Sequence, residues 1–144
     1  MSKEGCIVIS IKPKWVDLIF SGKKTIELRR SFSNKIDNGA QAIIYSSAPV
    51  SAIVGTVIIK SVEKNTPVSI WSKFSKETQA SKAEFDTYYD GRGYGIALTL
   101  SEPKRLPNIT LDSLRERYNF TPPVSWRFLK ESEIGLKSLE QIND

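Results

Sequence analysis

Residues 24 to 30 read Lys-Thr-Ile-Glu-Leu-Arg-Arg, and a strand period of two separates Ile26 and Leu28 from Thr25, Glu27 and Arg29. One face is apolar. The other carries a hydroxyl, a carboxylate and a guanidinium, with Lys24 just ahead of them and Lys12 at the end of an earlier apolar run. Emerging near one short helix, these groups could converge on a single pocket. A guanidinium offers a planar fork and an ammonium a point charge, so Lys12, Lys24, Arg29 and Arg30 are candidates for holding phosphate. Alternation turns Arg30 to the opposite face. A carboxylate can accept from an exocyclic amine, as carboxylates do for cytosine, so Glu27 is a candidate for reading a base edge. The plain alternative is that Glu27 pairs with Arg29 or Lys24 on a solvated strand face.

Flat rings supply the second ingredient of nucleic-acid recognition, because an aromatic side chain can stack an unpaired base. Tyr94, between Gly93 and Gly95, and Trp126, after Pro122-Pro123 and beside Arg127, are the candidates. A glycine-flanked turn and ordinary core packing are their respective alternatives. Trp15 and Trp71 lie at helical spacing among apolar neighbours and are assigned to the core. Ser46 and Ser47 close an apolar run before Ala48-Pro49, where hydroxyls and amides can meet an anion or cap a turn. If the chain is an enzyme, Lys24 and Glu27 carry the catalysis. Neighbouring bases would lower the lysine's pKa, and the carboxylate would exchange a proton with a ribose hydroxyl.

The sequence has no histidine and one cysteine, Cys6. Nucleophile systems that need an imidazole base are thereby excluded, as are a structural zinc site and an internal disulfide. No metal or cofactor is expected. Cys6 opens an apolar run and reads as a buried, inert thiol. The net charge is +5, and residues 1–35 hold eight bases against three acids while the remaining residues balance at 13 of each. All the excess positive charge therefore sits in the first quarter of the chain, as a localised anion-binding surface would require.

These groups need a scaffold. The 144 residues, 40% hydrophobic, suit a single domain over 1–144. No run approaches a membrane span, and Met1 to Gly5 leads into a strand without a signal-peptide layout, so a cytoplasmic protein is expected. The patterns predict strands over 6–11, 24–30, 40–47, 52–60 and 93–100, and an edge segment over 103–107. They predict helices over 13–22, 68–74, 81–89 and 111–118, helped by Pro13, Thr66-Pro67 and Thr110 at their starts. The tail from Pro122, with Trp126, Phe128 and Leu129, is too apolar to hang free and should pack as a final strand or extended segment. The sum is an α+β fold: a mixed sheet of five to six strands, curled into a small barrel, with short flanking helices.

Three segments carry a family resemblance. The first is Ile-Ser-Ile-Lys-Pro-Lys-Trp at 9–15, the second Ile-Phe-Ser-Gly-Lys-Lys-Thr-Ile-Glu-Leu-Arg at 19–29. The third is Tyr-Tyr-Asp-Gly-Arg-Gly-Tyr-Gly-Ile-Ala at 88–97. Together they resemble an ASCH domain (activating signal cointegrator homology), a branch of the PUA-like superfamily. The resemblance implies a PUA-like β-barrel with a cleft beside the first helix, and RNA or a nucleotide-like ligand as partner. It also implies a hydrolase alternative, either a ribonuclease or an acetylcytidine amidohydrolase. In the amidohydrolase group a lysine matches Lys24, whereas the position of its threonine nucleophile is filled here by Glu27.

Overall fold

The computed structural model describes residues 4–138; Lys3, counted above in the basic segment, and the rest of Met1–Lys3 lie outside the described residues. The chain runs β1 (Glu4–Ile11), α1 (Pro13–Phe20), β2 (Ile26–Arg29), β3 (Ile36–Ser46), β4 (Ala52–Asn65), α2 (Pro67–Thr78) and α3 (Lys82–Tyr88). It continues through β5 (Gly95–Thr110), α4 (Leu111–Tyr118), β6 (Trp126–Phe128) and a 3₁₀ helix over Glu131–Ser138. The sheet order is β2-β5-β4-β3-β1-β6. β1 and β3 are parallel and every other neighbour pair is antiparallel. This is a six-stranded mixed half-barrel in an α+β fold, with β2 and β6 at its two ends.

The apolar content settles on both faces of that sheet. Ile7, Ile9, Ile44, Val54, Val57, Ile59 and Leu98 pack with Val16 and Ile19 of α1. On the other face, Val8, Ile43, Tyr45 and Ile53 pack with Leu114 of α4, Phe120 and Leu136. A third cluster joins Ile26 to Ile70, Phe85 and Tyr89 under α2 and α3. Cys6 is buried, and burial pushes its thiol up to about 11, against a weaker opposing pull from Lys137. It stays a neutral, unreactive thiol at ordinary pH.

Local chemistry explains where the elements begin and stop. Pro13 occupies the first turn of α1, and Gly22 takes a φ of +83° just past its end, releasing the chain toward β2. Thr66, Ser81 and Thr110 cap α2, α3 and α4, and Ser81 forms a reciprocal capping box with Glu84. β2 is shorter than the alternation implies. The Lys24 amide bonds back to the Leu18 carbonyl, and the Thr25 amide bonds to Glu77 of α2. β5 is longer, because the two segments expected around residue 102 join through an irregularity where Glu102 adopts φ 51°. β2 covers only Ile96–Thr99, so Pro103 and Pro107 fall where no strand pairs on that side.

Candidate functional site

The two ends of the sheet meet at a seam, and a cleft of about 630 Å³ opens there. Glu27 and Arg29 reach it because their partners across the ladder, Leu98 and Ile96, face the barrel interior. The face that reads as chemical in sequence is therefore turned inward rather than solvated. Glu27 and Arg29 are only 6% and 9% exposed, and Lys24 3%.

Burial of three charges is tolerable only if they satisfy one another. Glu27 Oε2 accepts from Arg29 Nη2 and from Nε at 3.1 Å. Arg29 Nη2 also donates to the Ser10 carbonyl at 3.0 Å, and Nη1 donates to Ser125 Oγ at 3.0 Å and faces the Ser125 carbonyl at 3.5 Å. All five guanidinium protons are thus engaged. Lys24 Nζ donates to the carbonyls of Ile26 at 2.8 Å and Thr78 at 2.7 Å, and stands 3.5 Å from Glu27 Oε1. Its ammonium caps the C-terminus of α2 while also lying 4.7 Å from the Trp15 ring centroid. Burial lowers the Lys24 pKa, with Glu27 opposing that shift. The floor's cations are saturated. What it leaves open is acceptor capacity on Glu27 Oε1, and the hydroxyl proton of Ser125, which has no acceptor among the described residues.

The rim supplies solvent-exposed charge, from Lys12, Lys14 and Arg30. Five basic side chains line the cleft against two acidic ones. Lys12 is exposed and pairs with none of the described residues. Lys14 lies 4.4 Å from the Trp15 ring centroid and pairs with Glu84. Arg30 stacks 4.3 Å over the Tyr88 ring and donates through Nε to the Tyr88 carbonyl, leaving its Nη groups without a partner among the described residues. The opposite lip is the segment Pro123–Ser125, pinned to β1 by Ser10 Oγ donating to the Pro123 carbonyl and by the Ser10 amide donating to the Ser125 carbonyl.

The structure brings Lys12, Lys24, Glu27, Arg29, Arg30 and Ser47 to this cleft. It does not bring the other candidates. Thr25 uses its backbone to bind α2 and β5. Ser46 is 1% exposed on β3, its hydroxyl unpartnered among the described residues. Tyr94 lies outside the cleft lining and carries Lys64 over its ring; the close backbone approach at Gly95 makes room for Tyr89, whose ring a Cβ there would meet at 2.5 Å. Trp126 packs between Phe32 and Phe128. Two readings need correction. Trp15, assigned to the core, backs onto it but also lines the cleft, because the first turn of α1 lies against the seam. Arg30, turned away by alternation, lines the cleft because β2 stops at Arg29 and strand period no longer governs the next residue. Sequence reasoning missed Ser125, Tyr88 and Val124. Val124 follows two prolines and is fully exposed at the lip, a position that only the lip's attachment to β1 reveals.

The ASCH domain model matches residues 9–103. A Zymomonas mobilis protein named ASCH domain-containing ribonuclease is 32% identical over 127 residues, covering 88% of this chain and 85% of that one. The crystal structure of ASCH from Zymomonas mobilis superposes with a TM-score of 0.86 at 31% identity, covering 94% of this chain and 95% of that one. A Ureaplasma parvum protein named large ribosomal subunit protein uL22 is also 32% identical over 127 residues. There the match covers 86% of this chain but only 39% of the relative's length.

Proposed function

The chain belongs to the ASCH domain family, and from that premise we propose that it binds RNA, or a nucleotide-like ligand, in the cleft at the barrel seam. The observation that carries this reading is a buried Lys24–Glu27–Arg29 floor with acceptor capacity left on Glu27 Oε1, beneath a rim on which Lys12 and the Arg30 Nη groups have no partner among the described residues. A base entering edge-on meets Glu27 Oε1 and the Ser125 hydroxyl. Trp15 gives an aromatic wall, and Lys12 and Arg30 hold the backbone phosphates. Lys24 and Arg29 act differently from simple phosphate ligands: they are spent on Glu27 and on backbone carbonyls, and hold the Glu27 carboxylate in place. The reading takes residues 1–144 as one domain working in the cytoplasm. Among the described residues no helix is long and apolar enough to cross a membrane.

Binding of labelled oligoribonucleotides, followed by anisotropy across a salt series, tests this. The affinity should fall linearly on a log–log plot, and Lys12→Ala and Arg30→Ala should each reduce the slope by about 0.7, the single-strand value per phosphate. Salt-independent affinity, or unchanged slopes in both variants, would reject the cleft.

A second reading is ribonuclease activity, favoured by the name of the Zymomonas mobilis relative. With histidine absent, Glu27 is the group placed to take a proton from a ribose hydroxyl, and Lys24 the cation beside it. Cleavage of an RNA oligonucleotide that is lost in Glu27→Gln while binding persists would establish it. Turnover of acetylcytidine instead would point to the amidohydrolase branch.

A further inference from the structure

Arg30, Glu84 and Tyr88 also line a second recess, of about 450 Å³, completed by Ala83 and Thr87 on the exposed side of α3. The two hollows share these three residues, so a chain leaving the cleft over Arg30 enters the recess without crossing another element. From this continuity, and resting on the RNA-binding reading above, we infer that the recess is a second subsite, taking the phosphodiester and sugar of the nucleotide next to the one held in the cleft.

The chemistry of the recess fits an anion with a sugar attached. Arg30 is tethered over the Tyr88 ring by the cation–π contact and by its Nε hydrogen bond, so its Nη groups are presented from a held head group rather than on a freely rotating stem. Thr87 is exposed, and its hydroxyl has no partner among the described residues. The Tyr88 ring is half-buried and held by its hydroxyl donating to the Leu28 carbonyl, which makes it a firm surface for a ribose. Glu84 would repel phosphate if its charge were free, but one oxygen accepts from the Ser81 amide and the other pairs with Lys14. Those bonds, the Lys14 pair foremost, hold its carboxyl at about 2, so the carboxylate is already committed to the helix cap and to Lys14 at any working pH.

The test compares the four 5′-mononucleotides with the four homodinucleotides pNpN by calorimetry at fixed salt, using the wild-type chain and the variants Thr87→Glu and Ala83→Glu. Both positions are exposed on α3 and line the recess but not the cleft; circular dichroism and thermal melting verify the fold. The wild type should bind its preferred dinucleotide about tenfold more tightly than the matching mononucleotide, the size of one charge-assisted contact. Both variants should lose that gain and keep the mononucleotide affinity. Equal affinities for mono- and dinucleotides in the wild type would overturn the second subsite while leaving the cleft intact. A gain that persists in both variants would do the same, by placing the second phosphate elsewhere. Failure of every mononucleotide and dinucleotide to bind would remove the cleft reading, and the subsite with it.

Discussion

At the residue scale the floor of the cleft is a charge problem with one solution. Glu27 is flanked by two buried cations, and each cation is also spent on backbone carbonyls, so no member can be removed without stranding another. Breaking a buried ion pair from one side costs about 3–5 kcal/mol, much of it the uncompensated charge left behind. Lys24→Met should therefore destabilise the protein by about 3 kcal/mol in urea unfolding, and Glu27→Gln by a similar amount, since it leaves two cations with no counter-charge. The double variant should lose clearly less than the two combined. Additive losses would mean that the three groups do not act as a unit. That Glu27 and Arg29 share a face was readable from alternation, whereas Lys24 lies ahead of β2 and reaches the floor from outside the strand. Their saturation was not readable, because Arg29 draws on Ser10 and Ser125, and Lys24 on Thr78, partners that only the folded chain brings near.

At the element scale α1 and the C-terminal segment have to be seated for the cleft to exist. α1 lies against β4 at Gly55, where a Cβ would stand 2.5 Å from the Phe20 ring and 2.3 Å from the Lys104 carbonyl oxygen. The ring could swing aside, but the backbone oxygen cannot. Gly55→Ala should lower stability by about 1–3 kcal/mol, as overpacking does, and weaken RNA binding through displacement of Trp15 and Lys12. A variant with unchanged melting and binding would show that α1 is not held there. The 3₁₀ helix is tied down by Arg127, which grips Glu133 with two hydrogen bonds of 2.7 and 2.8 Å, while the Lys130 amide adds a third. Burial alone would raise the Glu133 pKa; the Arg127 and Lys130 bonds outweigh it and bring it below the usual carboxylate range. A depressed folded pKa means that this stabilisation is complete above the unfolded value of 4.5 and is lost as pH falls through the folded one. Glu133→Gln should remove about 2 kcal/mol at pH 7, and the gap from wild type should shrink toward acid. A gap independent of pH would assign the effect to packing. Helix starts were legible because Pro13, Thr66-Pro67 and Thr110 act locally. The 3₁₀ helix was not, since Glu131–Ser138 has little amphipathic pattern and depends on an ion pair from β6.

At the scale of the whole molecule, the barrel is open, and Arg29 is the side chain that closes it. It sits at the last residue of one terminal strand and reaches Ser10 on β1 and Ser125 beside the other terminal strand, while Phe32 and Trp126 meet across the same gap at 4.8 Å. β6 has only three ladder positions, Trp126–Phe128 against Ile7–Ile9, too few to hold an edge by backbone bonds alone. Sequence order predicts a curled sheet but not which strands face each other at the opening. β2 and β6 lie nearly a hundred residues apart, and their juxtaposition comes from the sheet's twist rather than from any local signal. Arg29→Lys keeps the charge beside Glu27 but replaces a five-proton fork with three protons on a point charge, so Ser125 and Ser10 lose donors. Stability should fall by about 2 kcal/mol. The loss should be uneven: hydrogen exchange should accelerate at the amides pairing β1 with β6 and stay at the global rate between β3 and β4, where the ladder is long and mostly buried. RNA affinity should fall with it, because the lip carrying Ser125 is released from the floor that carries Glu27. Uniform acceleration across the sheet would mean that Arg29 contributes only to the general core, and the seam would then have to be held by the Phe32–Trp126 contact.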